Sequence, residues 1–225
     1  MAIGLVKICG VNSLTAALAA TRAGADFIGF VFVAKSPRAI AAEAANDIVT
    51  EIKQLSFEEG FALPKFCGLF VDAGERALAE AAPFLTHFQF HGHEDAERVD
   101  EIRAAFGLEI IKAVAVSEPS DFEGLSALGA AADYLLFDAR APKGSDRPGG
   151  NGTPFDWTIL KHYRLETPFL LAGGLDARNV DKAVKAAKGH TAFAGVDVSS
   201  GVEKRPGEKD DALIADFVRC ARAAF

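Results

Sequence analysis

The sequence predicts one α/β domain over residues 1–225, folded as a single (β/α)8 barrel, or TIM barrel. Short β-rich runs alternate eight times with longer Ala-rich segments of helical period. The β-rich runs are almost continuously apolar, as expected for parallel strands covered by helices on one side and by a packed interior on the other. A length of 225 residues also suits one compact barrel.

A short loop and then a helix follow each predicted strand. The strands are expected at residues 5–9, 27–33, 65–71, 87–90, 110–115, 134–137, 169–171 and 192–196. The helices are expected at residues 13–23, 39–54, 75–84, 94–106, 119–128, 156–163, 177–187 and 210–224. We interpret residues 54–64 as a surface insertion. The competing architecture is an open doubly wound sheet, because alternation alone does not require the sheet to close.

Charge and composition exclude several classes of protein. A net charge of −7 with scattered Lys and Arg argues against binding to nucleic acid or anionic membranes, which requires a basic face. The apolar run at residues 27–34 is too short to span a bilayer, and no secretory signal is recognised. The cysteines are three in number and lack a CxxC pair, which favours a reduced, cytoplasmic protein. No long exposed apolar stretch is obvious, so we expect a monomer.

In a barrel of this kind, function belongs to the loops that follow the C-terminal ends of the strands. Two adjacent loops of this kind, after the seventh and eighth predicted strands, are rich in Gly and Ser. Such loops let backbone N–H groups approach an anion closely. They therefore predict a phosphate site rather than two ordinary turns, with the candidate residues Gly173, Gly174, Ser199, Ser200 and Gly201.

Two further strand ends carry residues suited to proton transfer. Cys9 ends the first predicted strand directly before a glycine, where a thiol with a lowered pKa could act as a nucleophile or base. The alternative is a small buried hydrophobic residue, which is our interpretation of Cys67 and Cys220. Asp138 follows the sixth strand, where it is either a loop cap or an acid–base group. Position alone does not decide between these alternatives.

Residues in two further loops are candidates for binding a ligand. Arg38 follows the second strand and could bind a carboxylate with two hydrogen bonds, although a lone Arg more often forms a surface salt bridge. His91 and His93, with Glu94, could suggest a metal site after the fourth strand. No other strand end offers a clear second group of ligands, so no metal is expected.

Taken together, these segments resemble the phosphoribosylanthranilate isomerase family. The matching stretches occur in the right order and are Lys7-Ile8-Cys9-Gly10, Gly29-Phe30-Val31-Phe32, Ser36-Pro37-Arg38, Gln89-Phe90-His91-Gly92, Phe137-Asp138, Gly149-Gly150-Asn151-Gly152, Phe155-Asp156-Trp157, Ala172-Gly173-Gly174-Leu175 and the stretch from Gly195 to Glu203. The departures are small. Phe90 stands where the family usually has Leu, and Asn151 stands where Thr or Ser is common.

The resemblance implies an Amadori rearrangement of N-(5-phosphoribosyl)anthranilate in tryptophan biosynthesis, without a metal or an organic cofactor. By motif match, Asp138 is the general acid that opens the furanose ring and Cys9 is the general base that removes the proton from C2. Arg38 holds the anthranilate carboxylate. The resemblance also implies that the 140–154 loop closes over the substrate. The remaining substrate-binding residues are Gln89, His91 and Asp197, with the phosphate bound by the five loop residues named above.

Three other functions compete with this one. The histidine-pathway aminoaldose isomerase uses a carboxylate on the first strand, where this chain has Cys9. A metal-dependent pentose-phosphate epimerase requires His and Asp ligands at successive strand ends. A non-catalytic phosphate-binding barrel would need neither Cys9 nor Asp138, so the presence of both argues against it.

Overall fold

A computed structural model describes residues 4–140 and 155–225. Eight parallel strands form a closed barrel in which each pairs with the next and the last pairs with the first. They are β1 (Leu5–Cys9), β2 (Phe27–Val31), β3 (Lys65–Phe70), β4 (His87–Phe90), β5 (Glu109–Val116), β6 (Tyr134–Ala139), β7 (Phe169–Leu171) and β8 (Phe193–Val198). The predicted (β/α)8 barrel is therefore confirmed, and closure between β1 and β8 excludes the open sheet.

Helices follow the strands, and a short hairpin follows β8. The α-helices are α1 (Leu14–Arg22), α2 (Ala42–Glu59), α3 (Glu75–Ala81), α4 (Ala96–Phe106), α5 (Ser126–Ala131), α6 (Val180–Ala187) and α7 (Asp211–Ala224). Segments of 3-10 helix lie at Ala82–Phe84, Pro119–Phe122, Trp157–His162 and Ser200–Val202. The antiparallel hairpin consists of β9 (Glu203–Arg205) and β10 (Glu208–Lys209). No described helix is both long enough and apolar enough to cross a membrane.

The structure corrects three predicted segments. Helix α2 continues to Glu59 and ends at Gly60 in the left-handed conformation, so the first half of the expected 54–64 insertion is helical. The helix expected at 119–128 is broken into a 3-10 turn and α5, with Gly124 at a φ of 74° between them. The helix expected at 156–163 is a 3-10 segment. Gly124 explains the break, because its left-handed conformation and the low helix propensity of glycine do not favour a continuous α-helix.

Two apolar layers hold the barrel together. Inside it, side chains from alternate strand positions pack against each other, among them Phe27, Cys67, Ile111, Leu136 and Leu170. This packing matches the inward and outward alternation of a strand. Burial raises the pKa of Cys67 to about 12, which agrees with its interpretation as an inert core residue. The outer layer, between the strands and the helices, is larger.

Part of the outer layer is an aromatic cluster around Phe137 on β6. The Phe137 ring lies 5.0 Å from Tyr163, 4.9 Å from Phe169 and 5.1 Å from Phe122, measured between ring centroids. These rings join β6 and β7 to the two 3-10 segments that stand beside them. The cluster therefore compensates for the weak helical cover in this part of the barrel.

Replacing Phe137 by Ala should lower the free energy of unfolding by about 3–5 kcal/mol, because it leaves a cavity among buried rings. Urea denaturation measures the change. Phe57→Ala is the matched control, since Phe57 is 91% exposed on α2 and its loss should cost less than about 0.5 kcal/mol. Equal effects of the two substitutions would contradict this account of the core.

Candidate active site

Three candidate side chains lie at the C-terminal ends of their strands. Cys9 is the last residue of β1, Asp138 is next to last in β6, and Asp197 is next to last in β8. All three are buried, with 4%, 8% and 7% of their surfaces exposed. Ionisable groups held this far from solvent at the end of a barrel are suited to proton transfer or ligand binding.

A cleft at this end joins the candidate acid to the predicted phosphate loops. It is lined by Asp138, Ala172, Gly173, Gly174, Leu175, Asp197, Val198, Ser199 and Ser200. Four of the five predicted phosphate-binding residues therefore share one small cleft with Asp138 and Asp197. A larger polar groove beside the start of α1 and the β9–β10 hairpin contains none of the candidate residues.

The glycines bring the backbone close to Asp138 and to the neighbouring loop. Gly173 and Gly174 have φ values of 83° and 65°, which only glycine adopts without strain. A Cβ on residue 173 would lie 3.0 Å from Asp138 Oδ1 and would collide with the amide nitrogen of Ala139. Gly201 lies behind the cleft, where a Cβ would collide with the carbonyl oxygen of Leu175. Gly201 thus allows the two loops to pack together.

A buried ion pair lies next to Cys9. Lys7 faces Asp197 across the β1–β8 pairing, and its Nζ donates to Asp197 Oδ1 at 2.7 Å. Burial alone would lower the pKa of the Lys7 ammonium, but Asp197 and two nearby thiols raise it above its ordinary value. Burial and the Asp197 carboxylate raise the pKa of the Cys9 thiol above its ordinary value, although the Lys7 ammonium and Lys209 act in the opposite direction.

Gln89 and His91 form a chain that reaches Asp138. Gln89 Nε2 lies 3.4 Å from His91 Nδ1, and His91 Nε2 lies 3.5 Å from Asp138 Oδ2. Gln89 is 1% exposed, and its Oε1 has no hydrogen-bond partner among the described residues. The structure therefore brings both predicted substrate-binding residues of β4 and its loop next to the candidate acid.

Arg38 is held by Glu203, which also binds Lys209. Arg38 Nε and Nη2 donate to the two carboxylate oxygens of Glu203 at 2.7 and 2.9 Å. Lys209 Nζ donates to Glu203 Oε1 and to the carbonyl oxygen of Ser199, both at 2.8 Å. The Nη1 of Arg38 has no partner within the described part of the chain. Glu203 thus holds the Arg38 guanidinium in place and leaves Nη1 available to bind a ligand.

The side chains of His93 and Glu94, which could have suggested a metal site, bind other groups of the protein. Glu94 accepts from the amides of Asp72 and Gly92 at 2.7 and 2.9 Å and pairs with Lys112 at 3.3 Å. His93 Nδ1 lies 3.0 Å from Asp72 Oδ2. Within residues 4–140 and 155–225, no three His, Cys, Asp or Glu side chains are arranged to hold a metal ion. Of the expected 140–154 loop, residues 141–154 lie outside the described residues.

Sequence reasoning did not assign a role to Lys7, Glu203 or Lys209. Lys7 and Lys209 are almost completely buried, and the Glu203 side chain is only 4% exposed. The available signal was Lys7 itself, a charged residue within the apolar run Leu5–Cys9 that must be paired if it is buried. No comparable signal marked Glu203 or Lys209, because polar residues are common in loops.

Fold and site together define an enzyme of the (β/α)8-barrel class, with ionisable side chains and glycine-rich loops gathered at the C-terminal end of the barrel. The family model for N-(5'phosphoribosyl)anthranilate (PRA) isomerase matches residues 6–220, and the chain belongs to this family. It is an isomerase of tryptophan biosynthesis that carries out the Amadori rearrangement of N-(5-phosphoribosyl)anthranilate. The three competing functions are therefore set aside.

Individual relatives agree with the family match. The chain is 43% identical to N-(5'-phosphoribosyl)anthranilate isomerase of Rhodopseudomonas palustris over 222 residues, which cover 98% of this chain and 99% of the relative. The crystal structure of phosphoribosyl anthranilate isomerase from Thermotoga maritima has a TM-score of 0.81 at 33% identity, covering 99% of this chain and 100% of that one. A second structure, in complex with reduced 1-(o-carboxyphenylamino)-1-deoxyribulose 5-phosphate, has a TM-score of 0.78 at 31% identity and the same coverage.

The ion pairs of Glu203 with Arg38 and Lys209 should make the free energy of unfolding depend on pH in the acid range. Burial alone would raise the pKa of Glu203, but Arg38 and Lys209 more than offset this and hold it below its ordinary value. A carboxyl with a lowered pKa in the folded chain stabilises it above the unfolded pKa of about 4.3, and this contribution is lost as the pH falls through the folded pKa. The stability gap, meaning the difference in free energy of unfolding between the unsubstituted protein and Glu203→Gln, should therefore narrow below about pH 4.3.

Urea denaturation of both proteins across the acid range measures this gap. The control is Glu58→Gln, because Glu58 is exposed on α2 and its carboxylate accepts a hydrogen bond from Gln54. That substitution should leave the pH dependence of unfolding nearly unchanged. A gap for Glu203→Gln that stays constant as the pH falls would contradict the prediction.

Proposed function

We propose that the cleft binds the phosphoribosyl part of N-(5-phosphoribosyl)anthranilate, and that Asp138 and Cys9 are the acid and base of its rearrangement. The observation that supports this most strongly is the single cleft that contains Asp138, Asp197 and both glycine- or serine-rich loops. A phosphorylated sugar bound there by its phosphate would extend from the loops after β7 and β8 toward Asp138.

The phosphate is held by backbone N–H groups of Gly173, Gly174, Ser199, Ser200 and Gly201. Closely spaced backbone amides at the start of a loop bind an anion, and their fixed spacing disfavours anions of a different size. Lys209 supports this part of the site, because its Nζ binds the carbonyl oxygen of Ser199 at 2.8 Å and the hydroxyl at 3.2 Å. The ligand of the related structure, a carboxyphenylamino deoxyribulose phosphate, carries the same phosphate and carboxylate groups.

The rearrangement begins at the acid. Asp138 donates a proton to the furanose ring oxygen, the C1–O bond breaks, and the nitrogen lone pair forms the C1=N bond of a Schiff base. His91 stands beside Asp138 and, with Gln89, orients the opened sugar. A well-placed acid of this kind contributes about 10²–10⁴-fold to the rate.

The base completes the isomerisation. The Cys9 thiolate takes the proton from C2, and the electron pair of that bond moves to form the C1=C2 bond of an enolamine while the Schiff base nitrogen becomes neutral. Tautomerisation then places a proton on C1 and a carbonyl at C2. Asp197 lies near the sugar. The sequence of steps uses side chains alone and needs neither a metal nor an organic cofactor.

The setting of the enzyme is also a proposal. We propose a cytoplasmic monomer built from one domain. Reduced, separated cysteines support the compartment. Large apolar side chains exposed within the described residues are Phe57, Leu63 and Leu213. Scattered exposed apolar residues of this kind are ordinary on a monomer.

Arg38→Met should raise KM more than it lowers kcat, because Arg38 binds the anthranilate carboxylate in both the ground state and the transition state. Steady-state kinetics that follow the loss of anthranilate fluorescence measure both constants. Arg22→Met is the matched control, since Arg22 also pairs with a carboxylate, Glu59, but on the outer surface. An unchanged KM for Arg38→Met would assign the carboxylate to another group.

Asp138→Asn should lower kcat by roughly 10²-fold or more with little change in melting temperature, because an amide cannot donate a proton of comparable acidity. The same fluorescence assay and thermal unfolding test this. Asp133→Asn is the control at the opposite end of β6, where Asp133 binds Arg103 and the Ile110 amide. It should lose stability and keep its turnover within a few-fold. Near-normal turnover of Asp138→Asn would refute the acid assignment.

A further inference from the structure

We propose that Lys7 is a positioning residue of the reaction, whose ammonium group stabilises the thiolate form of Cys9 while Asp197 holds that ammonium in place. This inference rests on the proposed role of Cys9 as the base. It gives a function to a buried lysine that the substrate contacts proposed above do not use.

The first argument is the position of Lys7 on β1. Residues two apart on a strand point to the same face, so Lys7 and Cys9 both point into the barrel. Lys7 is 0% exposed, which leaves its charge no solvent to interact with. Its ammonium is fixed at 2.7 Å from Asp197 Oδ1 on the neighbouring strand β8.

The second argument is the absence of a side chain at Gly29 on β2. A Cβ at this position would lie 3.1 Å from Cys9 Sγ and 3.1 Å from Lys7 Nζ. Thiol and ammonium therefore border the same small space, separated by at most about twice that distance. Gly29 therefore places no side chain of its own between the two groups.

The third argument is the charge around the thiol. The groups that act on Cys9 are Lys7 on its own strand, Asp197 on β8 and Lys209 on β10, with Cys67 on β3 near Lys7 and the Arg38 side chain against Gly10. Without Lys7, a thiolate would form beside the Asp197 carboxylate, and like charges at close range oppose ionisation. Lys209 and Arg38 are both engaged by Glu203.

A stability role alone does not explain Lys7. A buried ion pair is often no more stabilising than well-packed apolar residues of similar size, because removing both charges from water offsets their attraction. The location of this pair next to the base, at the reacting end of the barrel, is what a catalytic contribution predicts. Other parts of the same interior are filled by residues such as Leu136 and Leu170.

The test is a pH titration of Cys9 in Lys7→Met, followed by the ultraviolet absorbance of the thiolate. Subtracting the titration of the corresponding Cys9→Ser protein isolates Cys9 from Cys67 and Cys220. Lys7→Met should shift the Cys9 midpoint upward by about one pH unit or more, a tenfold loss of thiolate at a given pH. The rise of kcat with pH should move in the same direction, so that turnover is partly recovered in base.

Lys112→Met is the matched control. Lys112 is also a buried lysine paired with a carboxylate, Glu94, but its Nζ binds the carbonyl oxygen of Gly92 after β4. Its removal should leave the Cys9 midpoint in place, whatever it does to stability. Equal midpoints in the unmodified chain and Lys7→Met, or equal shifts in both lysine variants, would overturn the inference.

A second measurement does not depend on the folding of Lys7→Met. In the unmodified chain labelled with nitrogen-15 at lysine side chains, one buried ammonium signal should shift with the same midpoint as the Cys9 absorbance. That inflection should vanish in Cys9→Ser. If no lysine signal follows the Cys9 titration, the ammonium and the thiol are not coupled and the inference fails.

The two proposals fail in different ways. If Cys9→Ser keeps near-normal turnover, Cys9 is not the base, regardless of any coupling to Lys7. If Cys9→Ser is inactive but the Cys9 midpoint ignores Lys7, the base assignment stands and only the positioning role is wrong.

Discussion

The pairing of β1 with β8 places Lys7 directly opposite Asp197, and the arrangement of the site follows from this contact. An ammonium and a carboxylate with almost no access to water must stay together, because separating them would leave an uncompensated buried charge. The pair fixes the register of the two strands that close the barrel. Cys9 lies two residues beyond Lys7, and Ser199 lies two residues beyond Asp197, so the same strand pair positions the proposed base and one of the proposed phosphate loops.

Buried lysines recur at this end of the barrel. In the described chain they are Lys7, Lys112 and Lys209, each paired with one carboxylate, and the three pairs serve different purposes. Lys112 and Glu94 bind backbone groups of the loops after β3 and β4. Lys209 and Glu203 connect Arg38 to the loop after β8. Buried charged side chains thus order the loops after β3, β4 and β8.

The fold was predictable because its signals are local. Apolar runs located all eight strands within a few residues, and the Gly173-Gly174 and Ser199-Ser200 pairs located the cleft. The sequence could not show that Arg38 meets Glu203, since the partners are far apart in the chain and either residue alone resembles a surface charge. The prediction of continuous α-helices at 119–128 and 156–163 was also wrong. Helical periodicity there reflects a buried face, which a short 3-10 turn provides equally well.

The tight packing of Gly201 on Leu175 has a consequence for the range of substrates. Because the loops after β7 and β8 meet backbone to backbone at this point, a shift of one loop would disturb its contact with the other. Asp138 is in turn set against Gly173 in the first of these loops. With a phosphate bound there as proposed, the proposed acid lies at a fixed distance from the phosphate, and the cleft selects for the length of the sugar. A sugar phosphate one carbon longer or shorter would present the wrong atom to Asp138, even with its phosphate fully bound.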